Sequence, residues 1–300
     1  MSALEAAARL RVYFAEMYPL PLRVATAALL GASFTRLLAR VHGEPFAPAS
    51  AGTARAAAAV FTLALLLRLM DELKDRDVDR ALFPSRPLPS GRVRISDIVA
   101  CLGLAVLTWI ALHVGSGPAA LSAAAVLAYA LLMFRWFFVP VWMRPRLLAT
   151  LATHTPVVPL MLLHLAVLFA TSGAASGPLR PTAVALLVGQ YWGAVFAWEI
   201  ARKIRAPEDE DDYVTYSRRL GPGGAVALAV AAQGASVAAG LALTASAGLR
   251  PSALVVLFGG LTLCGFAYVR FLVHPVAAHS HLRPFAEAFS LSTCAWGLLA

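Results

Sequence analysis

Long apolar stretches recur nine times along this 300-residue chain, and each but the last, which is short, is long enough to span a bilayer as a helix. They read as Leu20–Val41, Ala56–Leu73, Ile95–Val114, Ala119–Phe138, Leu147–Thr171, Pro181–Ile204, Gly224–Ala247, Pro251–Val273 and Phe285–Ala300. Pro and Gly mark most of the joints, as in Gly115-Ser116-Gly117-Pro118, Gly177-Pro178, Gly221-Pro222-Gly223-Gly224 and His274-Pro275. In hydrocarbon every backbone polar group needs an internal partner, so such stretches must be helices. The expected fold class is all-α, a polytopic membrane protein of one domain over residues 1–300. Residues 1–19 form an N-terminal amphipathic segment carrying Arg9 and Arg11.

Composition supports the membrane reading. The chain is 60% hydrophobic and only 14% charged, where a soluble domain is nearer a quarter charged. Its mean hydropathy is +0.73. The net charge of +9 therefore reads as membrane orientation and not as nucleic-acid binding. Lys and Arg gather in the loops after even-numbered spans: Lys74 to Arg94, then Arg144 and Arg146, then Arg202 to Arg219. The positive-inside rule then expects a cytoplasmic N-terminus and an outer C-terminus. Cys101, Cys264 and Cys294 have no paired spacing, so neither a disulfide nor a metal site is expected of them.

Acid at the end of a membrane-type helix is costly and needs a reason. The second stretch runs directly into Asp71-Glu72-Leu73-Lys74-Asp75-Arg76-Asp77-Val78-Asp79. On a helix, Asp71, Asp75 and Asp79 fall four apart on one face, with Glu72 beside them. Stacked carboxylates repel unless a cation sits among them. Mg²⁺ suits the place, because it prefers oxygen and is typically held by one or two carboxylates together with substrate phosphates. Cations follow in the same segment, notably Lys74 and, in a proline-rich loop, Arg86. A metal-bridged diphosphate needs both kinds of group.

A second charged segment runs from Glu199 to Tyr213 at the end of the sixth stretch, the same side by orientation. Glu199 and Lys203 are four apart, Arg202 lies between them, and Glu208 to Asp212 is almost all acid. A solvated acidic loop and an ordinary helical ion pair would explain the same residues. Of the sixteen Asp and Glu in the chain, five lie in the first segment and six in the second. Acid so concentrated at one face suits one diphosphate held between two sites. The allylic cation left by ionisation must be kept from water, and aromatic walls do that. Candidate walls are Tyr129, Phe134, Trp136, Tyr191, Trp192, Phe196 and Trp198, each equally explained by packing or interface anchoring.

At these residues the chain resembles the UbiA superfamily of intramembrane prenyltransferases. That family has nine transmembrane helices around a cavity capped by cytoplasmic loops, with Asp-rich motifs after the second and sixth helices. Its first motif is approximately Asn-Asp-x-x-Asp-x-x-x-Asp, followed by an Arg-Pro-Leu-Pro-Ser-Gly type segment. Here stand Asp71, Glu72, Asp75 and Asp79, then Arg86-Pro87-Leu88-Pro89-Ser90-Gly91. The resemblance implies Mg²⁺ on Asp71, Asp75 and Asp79, and Arg86 near the diphosphate. The second motif departs: Arg202-Lys203 stands where Lys-Asp is usual, and Ala206 where Asp is common. Glu199 and Glu208, with Glu210, are the carboxylates left to complete it, while Lys203 and Arg202 would grip diphosphate directly.

The resemblance implies an enzyme that ionises an isoprenyl diphosphate with Mg²⁺ and transfers the prenyl group to an aromatic or lipid-like acceptor. A terpene cyclase of the same superfamily is the alternative, and a non-catalytic transporter or scaffold a distant one. The expected partners are the prenyl diphosphate, that acceptor and the lipid bilayer, with no nucleic acid and no obligate protein. The expected location is the bacterial inner or plasma membrane, with the site opening to the cytoplasm. His154, before Pro156 in the fifth stretch, is a candidate cavity residue, although an interior hydrogen-bonded histidine explains it too. Tyr213 and Tyr216 are candidates to cover the site. His274, His279 and His281 lack a metal-ligand spacing.

Overall fold

The computed structural model describes residues 3–211 and 214–300, so Asp212 and Tyr213 lie outside the described residues. Among the described residues there is helix and no strand. The helices are α1 (Ala3–Met17), α2 (Leu20–His42), α3 (Ala51–Lys74), α4 (Arg76–Leu82), α5 (Ile95–His113), α6 (Pro118–Phe134), α7 (Pro140–Met143), α8 (Leu147–His154), α9 (Val157–Thr171), α10 (Pro181–Ala201), α11 (Tyr216–Ala247), α12 (Leu254–Val273) and α13 (Arg283–Leu299). Helix therefore forms over every apolar stretch read from the sequence. Six segments are long and apolar enough to cross a membrane: Leu20–His42, Ile95–His113, Leu147–Thr171, Pro181–Ala201, Tyr216–Ala247 and Pro251–Val273. The other three stretches differ for simple reasons. Helices α6 and α13 are 17 residues each, and α3 carries Arg55, Arg68, Asp71, Glu72 and Lys74.

The ends of these helices follow local chemistry. Ser50 caps α3, its hydroxyl accepting from the Thr53 N–H at 3.2 Å. Pro118 and Pro181 open α6 and α10, where the missing N–H is not needed. The fifth stretch breaks between α8 and α9 at Thr155-Pro156, as its prolines predict. Inside α11, Gly221 adopts φ 72° and ψ 160°, which interrupts the helix just before Pro222. The fourth stretch ends earlier than expected, at Phe134 and not at Phe138. Trp136, Phe137 and Phe138 form a left-handed turn with φ of 52°, 49° and 62°. Such a turn costs non-glycine residues about 1–2 kcal/mol each, so packing must hold it.

The chain divides into two compact units. The first comprises residues 1–32 and 49–141. In it α3 packs against α5 and α6, and α1 lies against α5. Gly31 permits the closest approach there. A Cβ at that position would lie 2.8 Å from the Ala57 backbone nitrogen, so α2 and α3 meet backbone to backbone. Two forked ion pairs tie α1 to distant sequence. Arg9 donates to both Asp97 oxygens at 2.6 and 2.8 Å, and Arg92 donates to both Glu16 oxygens and to the Ser85 carbonyl. The Arg92 contact holds the Glu16 carboxyl below its ordinary range.

The second unit comprises residues 33–48 and 142–300. Helix α10 is its hub, packed on α9, α11 and α13, while α12 packs on α11 and α13. Gly193 allows α10 to touch α11, since a Cβ there would lie 2.7 Å from the Ala232 carbonyl oxygen. Buried polar groups are tied down: Ser236 donates to the Gln190 carbonyl at 2.7 Å and Ser33 to the Cys294 carbonyl at 2.7 Å.

Candidate active site

The first acidic segment lies wholly in the first unit. The sequence expectation of one continuous helix from Asp71 to Asp79 needs correction. Asp75 ends α3 and begins α4, with φ −98° and ψ 9°. The register nevertheless survives the joint. The Asp75 N–H donates to the Asp71 carbonyl at 2.9 Å, Asp79 to Asp75 at 2.9 Å and Phe83 to Asp79 at 2.8 Å. Asp71, Asp75 and Asp79 thus keep one hydrogen-bonded line while the helix axis is interrupted among them.

Cations already accompany this line. The Lys74 ammonium lies 3.0 Å from Asp71 Oδ1 and 4.7 Å from the centre of the Trp136 ring. Lys74 is 8% exposed along its side chain, so it is a nearly buried cation held between a carboxylate and an aromatic face. The left-handed turn is what presents Trp136 there. Tyr129 steadies that turn, with its ring edge-on to Phe137 at 5.6 Å. Arg86 donates to Asp79 Oδ1 at 2.7 Å and lies 3.8 Å over the Phe83 ring. Glu72, by contrast, turns back along its own helix. It is buried and paired with Arg68 one turn earlier, and it is still near enough to Asp71, Asp79 and Arg86 to feel their charges.

The second acidic segment lies wholly in the second unit, and its acids are taken up by the protein itself. Glu199 receives both Arg202 donors at 2.6 and 2.9 Å, with the Lys203 ammonium 3.3 Å away. Arg202 also lies over the Trp198 ring, whose Nε1 donates to Glu287 at 3.2 Å. Glu208 accepts from the Ala277 N–H at 2.6 Å. Glu210 accepts from the hydroxyls of Thr215 and Ser217, which open α11. Asp211 pairs with Arg205 at 2.7 Å. Glu199 and Glu208 therefore each have their own donors.

The remaining candidates are placed as follows. Tyr191 is 1% exposed, its hydroxyl is bound to Ser33, and its ring is edge-on to Phe34. That is a packing position. His154 closes α8, with Nδ1 3.2 Å from the Thr153 hydroxyl. Trp192 and Phe196 stack edge-on along α10. Tyr216 is buried at the start of α11, beside Lys203. Sequence reading missed Arg68, Glu16, Arg92 and the Arg9–Asp97 pair. It also passed over Gln190 and Gln233, two amides at 0% and 1% exposure inside apolar helices. A four-residue spacing would have found Arg68–Glu72; pairs 76 and 88 residues apart leave no local trace.

Among the described residues, no group of three or more His, Cys, Asp or Glu side chains is gathered to hold a metal ion. The donors of the first line are carboxylate oxygens only, a set that suits Mg²⁺ held by one or two carboxylates and completed by phosphate oxygens. It does not make a closed protein cage.

No family model matches the sequence, and no curated protein matches it. Solved structures do. A digeranylgeranylglyceryl phosphate synthase of membranes superposes with a TM-score of 0.63 at 14% identity, over 97% of this chain and 98% of that one. The apo structure of a UbiA homolog from Aeropyrum pernix K1 gives a TM-score of 0.63 at 19% identity, over 90% and 95%. The chain has the UbiA fold. Within the UbiA fold the acidic line and its cations sit at the end of α3, the helix formed from the second apolar stretch.

Proposed function

We propose that the chain is an integral membrane, Mg²⁺-dependent prenyltransferase that ionises an isoprenyl diphosphate and passes the prenyl group to an aromatic or lipid-like acceptor. The observation that carries this reading is the line of Asp71, Asp75 and Asp79 with Lys74 and Arg86 already seated on two of its carboxylates. Asp71, Asp75 and Asp79 would hold Mg²⁺, which would supply neutralisation of the diphosphate's charge as its C–O bond breaks. Lys74 and Arg86 exchange their carboxylate partners for phosphate oxygens. Arg86 offers a planar fork that matches phosphate, and Phe83 keeps that fork oriented. Trp136 keeps Lys74 out of bulk water, which strengthens its attraction for the substrate. Lys203 and Arg202 are the proposed grip from the second segment, with Glu199 as their positioning carboxylate. In this reading the N-terminus is cytoplasmic and the site opens to the cytoplasm of a bacterial inner or plasma membrane.

A terpene cyclase is the second reading. It is favoured by the engagement of Glu208, Glu210 and Asp211 with the protein's own donors, which leaves the second segment unlike a paired metal motif. One experiment separates the readings: mass spectrometry of products from purified protein with Mg²⁺ and prenyl diphosphates of several lengths, with and without phenolic or lipid acceptors. Prenylated acceptor is the expected product. A cyclic hydrocarbon or alcohol formed without acceptor overturns transfer in favour of cyclisation, and no diphosphate consumption under any condition overturns both.

A further inference from the structure

One residue round α4 from Asp75 and Asp79 lies a second charged feature. A half-open pocket of about 400 Å³ is lined by Arg76, Arg80, Arg94, Gly91, Ser96 and Ile95, over an apolar floor that includes Leu88 and Val93. Its lining holds three guanidinium groups and no carboxylate. Elsewhere in this unit arginines are clamped by forked carboxylate pairs, as Arg9 and Arg92 are. Here the exposed Arg76 meets Asp77 at 3.6 Å, and that carboxylate is itself 82% exposed. Arg80 makes no ion pair among the described residues. Arg76 and Arg80, with the Arg94 guanidinium in the same lining, call for an anion with several acceptor oxygens.

A second observation says what carries that anion. Ile95 lines the pocket and begins α5, one of the helices apolar enough to cross a membrane. From Ile95, an exposed apolar stripe runs down α5 at helical spacing: Val99, Leu107, Ile110 and Val114, between 49% and 72% exposed. The basic pocket therefore sits at the head of an exposed apolar stripe on a helix apolar enough to cross a membrane. We infer that the pocket binds the phosphate headgroup of an anionic phospholipid whose acyl chains lie along this face of α5. A free phosphate would satisfy the arginines without using the stripe, whereas a phospholipid uses both at once. Because Asp79 shares α4 with Arg76 and Arg80, a lipid held there braces the segment that carries the acidic line.

The inference stands apart from the prenyl-transfer reading, since its test needs no turnover. Native mass spectrometry of the purified full chain, titrated with phosphatidylglycerol or phosphatidylcholine, reads the affinity directly. Wild type is expected to prefer phosphatidylglycerol. Each arginine near a headgroup contributes about five-fold, so Arg76→Gln with Arg80→Gln should weaken phosphatidylglycerol about 25-fold. Arg219→Gln, an exposed cation of the second unit, should leave it unchanged. The inference is overturned if the double variant binds as wild type does, or if Arg219→Gln weakens binding as much, which would mean diffuse charge. It is equally overturned if millimolar inorganic phosphate displaces phosphatidylglycerol from wild type, which would make the pocket a free-phosphate site.

Discussion

The two acidic segments have similar composition and opposite architecture. Between Asp71 and Asp79 the backbone keeps one hydrogen-bonded line, and Asp71 and Asp79 are partnered by two long cationic side chains, Lys74 and Arg86. Glu199 likewise has long cationic partners, Arg202 and Lys203, but from Glu208 to Asp211 the carboxylates accept from the protein's own structure: a backbone N–H at Ala277, two hydroxyls at the start of α11, and Arg205. A cationic side chain can turn from a carboxylate to a phosphate at little cost. A backbone N–H cannot leave without unfolding its turn. Counting acids in a sequence treats the two segments as equals, whereas the identity of each donor separates a segment poised for exchange from one built to stay.

The largest effect expected from this difference is on turnover. Asp75→Asn or Asp79→Asn should lower consumption of prenyl diphosphate by about 10²–10³-fold, the scale seen when one preorganised electrostatic group is removed. Glu208→Gln should stay within about three-fold, because its acceptor oxygen for Ala277 survives the change. Equal losses at Asp79 and Glu208, measured as steady-state diphosphate release, would break the contrast.

Stability should show the reverse order. Glu210 accepts from both Thr215 and Ser217, and Ser217 in turn accepts from the Arg205 N–H at 2.8 Å. Glu210→Ala removes the acceptor from that network and should lower stability by about 1.5–3 kcal/mol, the scale for hydrogen bonds to a charged group. Thermal unfolding in detergent reads this directly. Asp71, half exposed and paired with Lys74, should lose well under 1 kcal/mol on the same change. If Asp71→Ala destabilises as much as Glu210→Ala, the first segment is structural too.

Substrate affinity offers a finer probe of the first segment. Arg86→Lys keeps the charge but loses the planar fork and the stack on Phe83. KM for the prenyl diphosphate should rise about ten-fold with kcat less affected. A larger fall in kcat than rise in KM would place Arg86 in the transition state and not in substrate binding.

The residues that sequence reading located share a local cause. Apolar length placed α2, α5, α10 and α12 within a few residues, and Pro156 and Gly221 marked real interruptions. The four-residue spacing of Asp71, Asp75 and Asp79 was legible because it is a property of adjacent turns. The break at Asp75 was not, since nothing in Lys74-Asp75-Arg76 forbids helix. Nor was the left-handed turn at Trp136–Phe138, which contains no glycine and exists through packing such as Tyr129 on Phe137. The fate of Tyr191 turned on a hydroxyl partner 158 residues away, Ser33, and no period in a sequence reports such a distance.

The smallest expected effect concerns the clamp that ties α1 to the loop carrying Arg86. Glu16 and Arg92 are both about half exposed, so water and salt screen their attraction. The Arg92 guanidinium lowers the Glu16 carboxyl from its ordinary value of 4.5. A carboxyl held low in the folded state contributes stability above its unfolded value, and that contribution is lost as pH falls through the folded value. Hydrogen-exchange protection across α1, taken relative to the intrinsic exchange rate at each pH, should therefore hold at neutral pH and fall once pH drops below about 4.5, with Glu16→Gln showing the lower protection at every pH. The second unit offers a matched control in Glu44, which Ser176 also holds below 4.5, but through hydrogen bonds from a hydroxyl and an N–H. Added salt should quicken exchange at the Glu16–Arg92 clamp and leave the Glu44–Ser176 contact nearly unchanged, because only the former is an attraction between two charges. An equal salt response at both would show that the Glu16–Arg92 pair holds α1 through its hydrogen bonds alone.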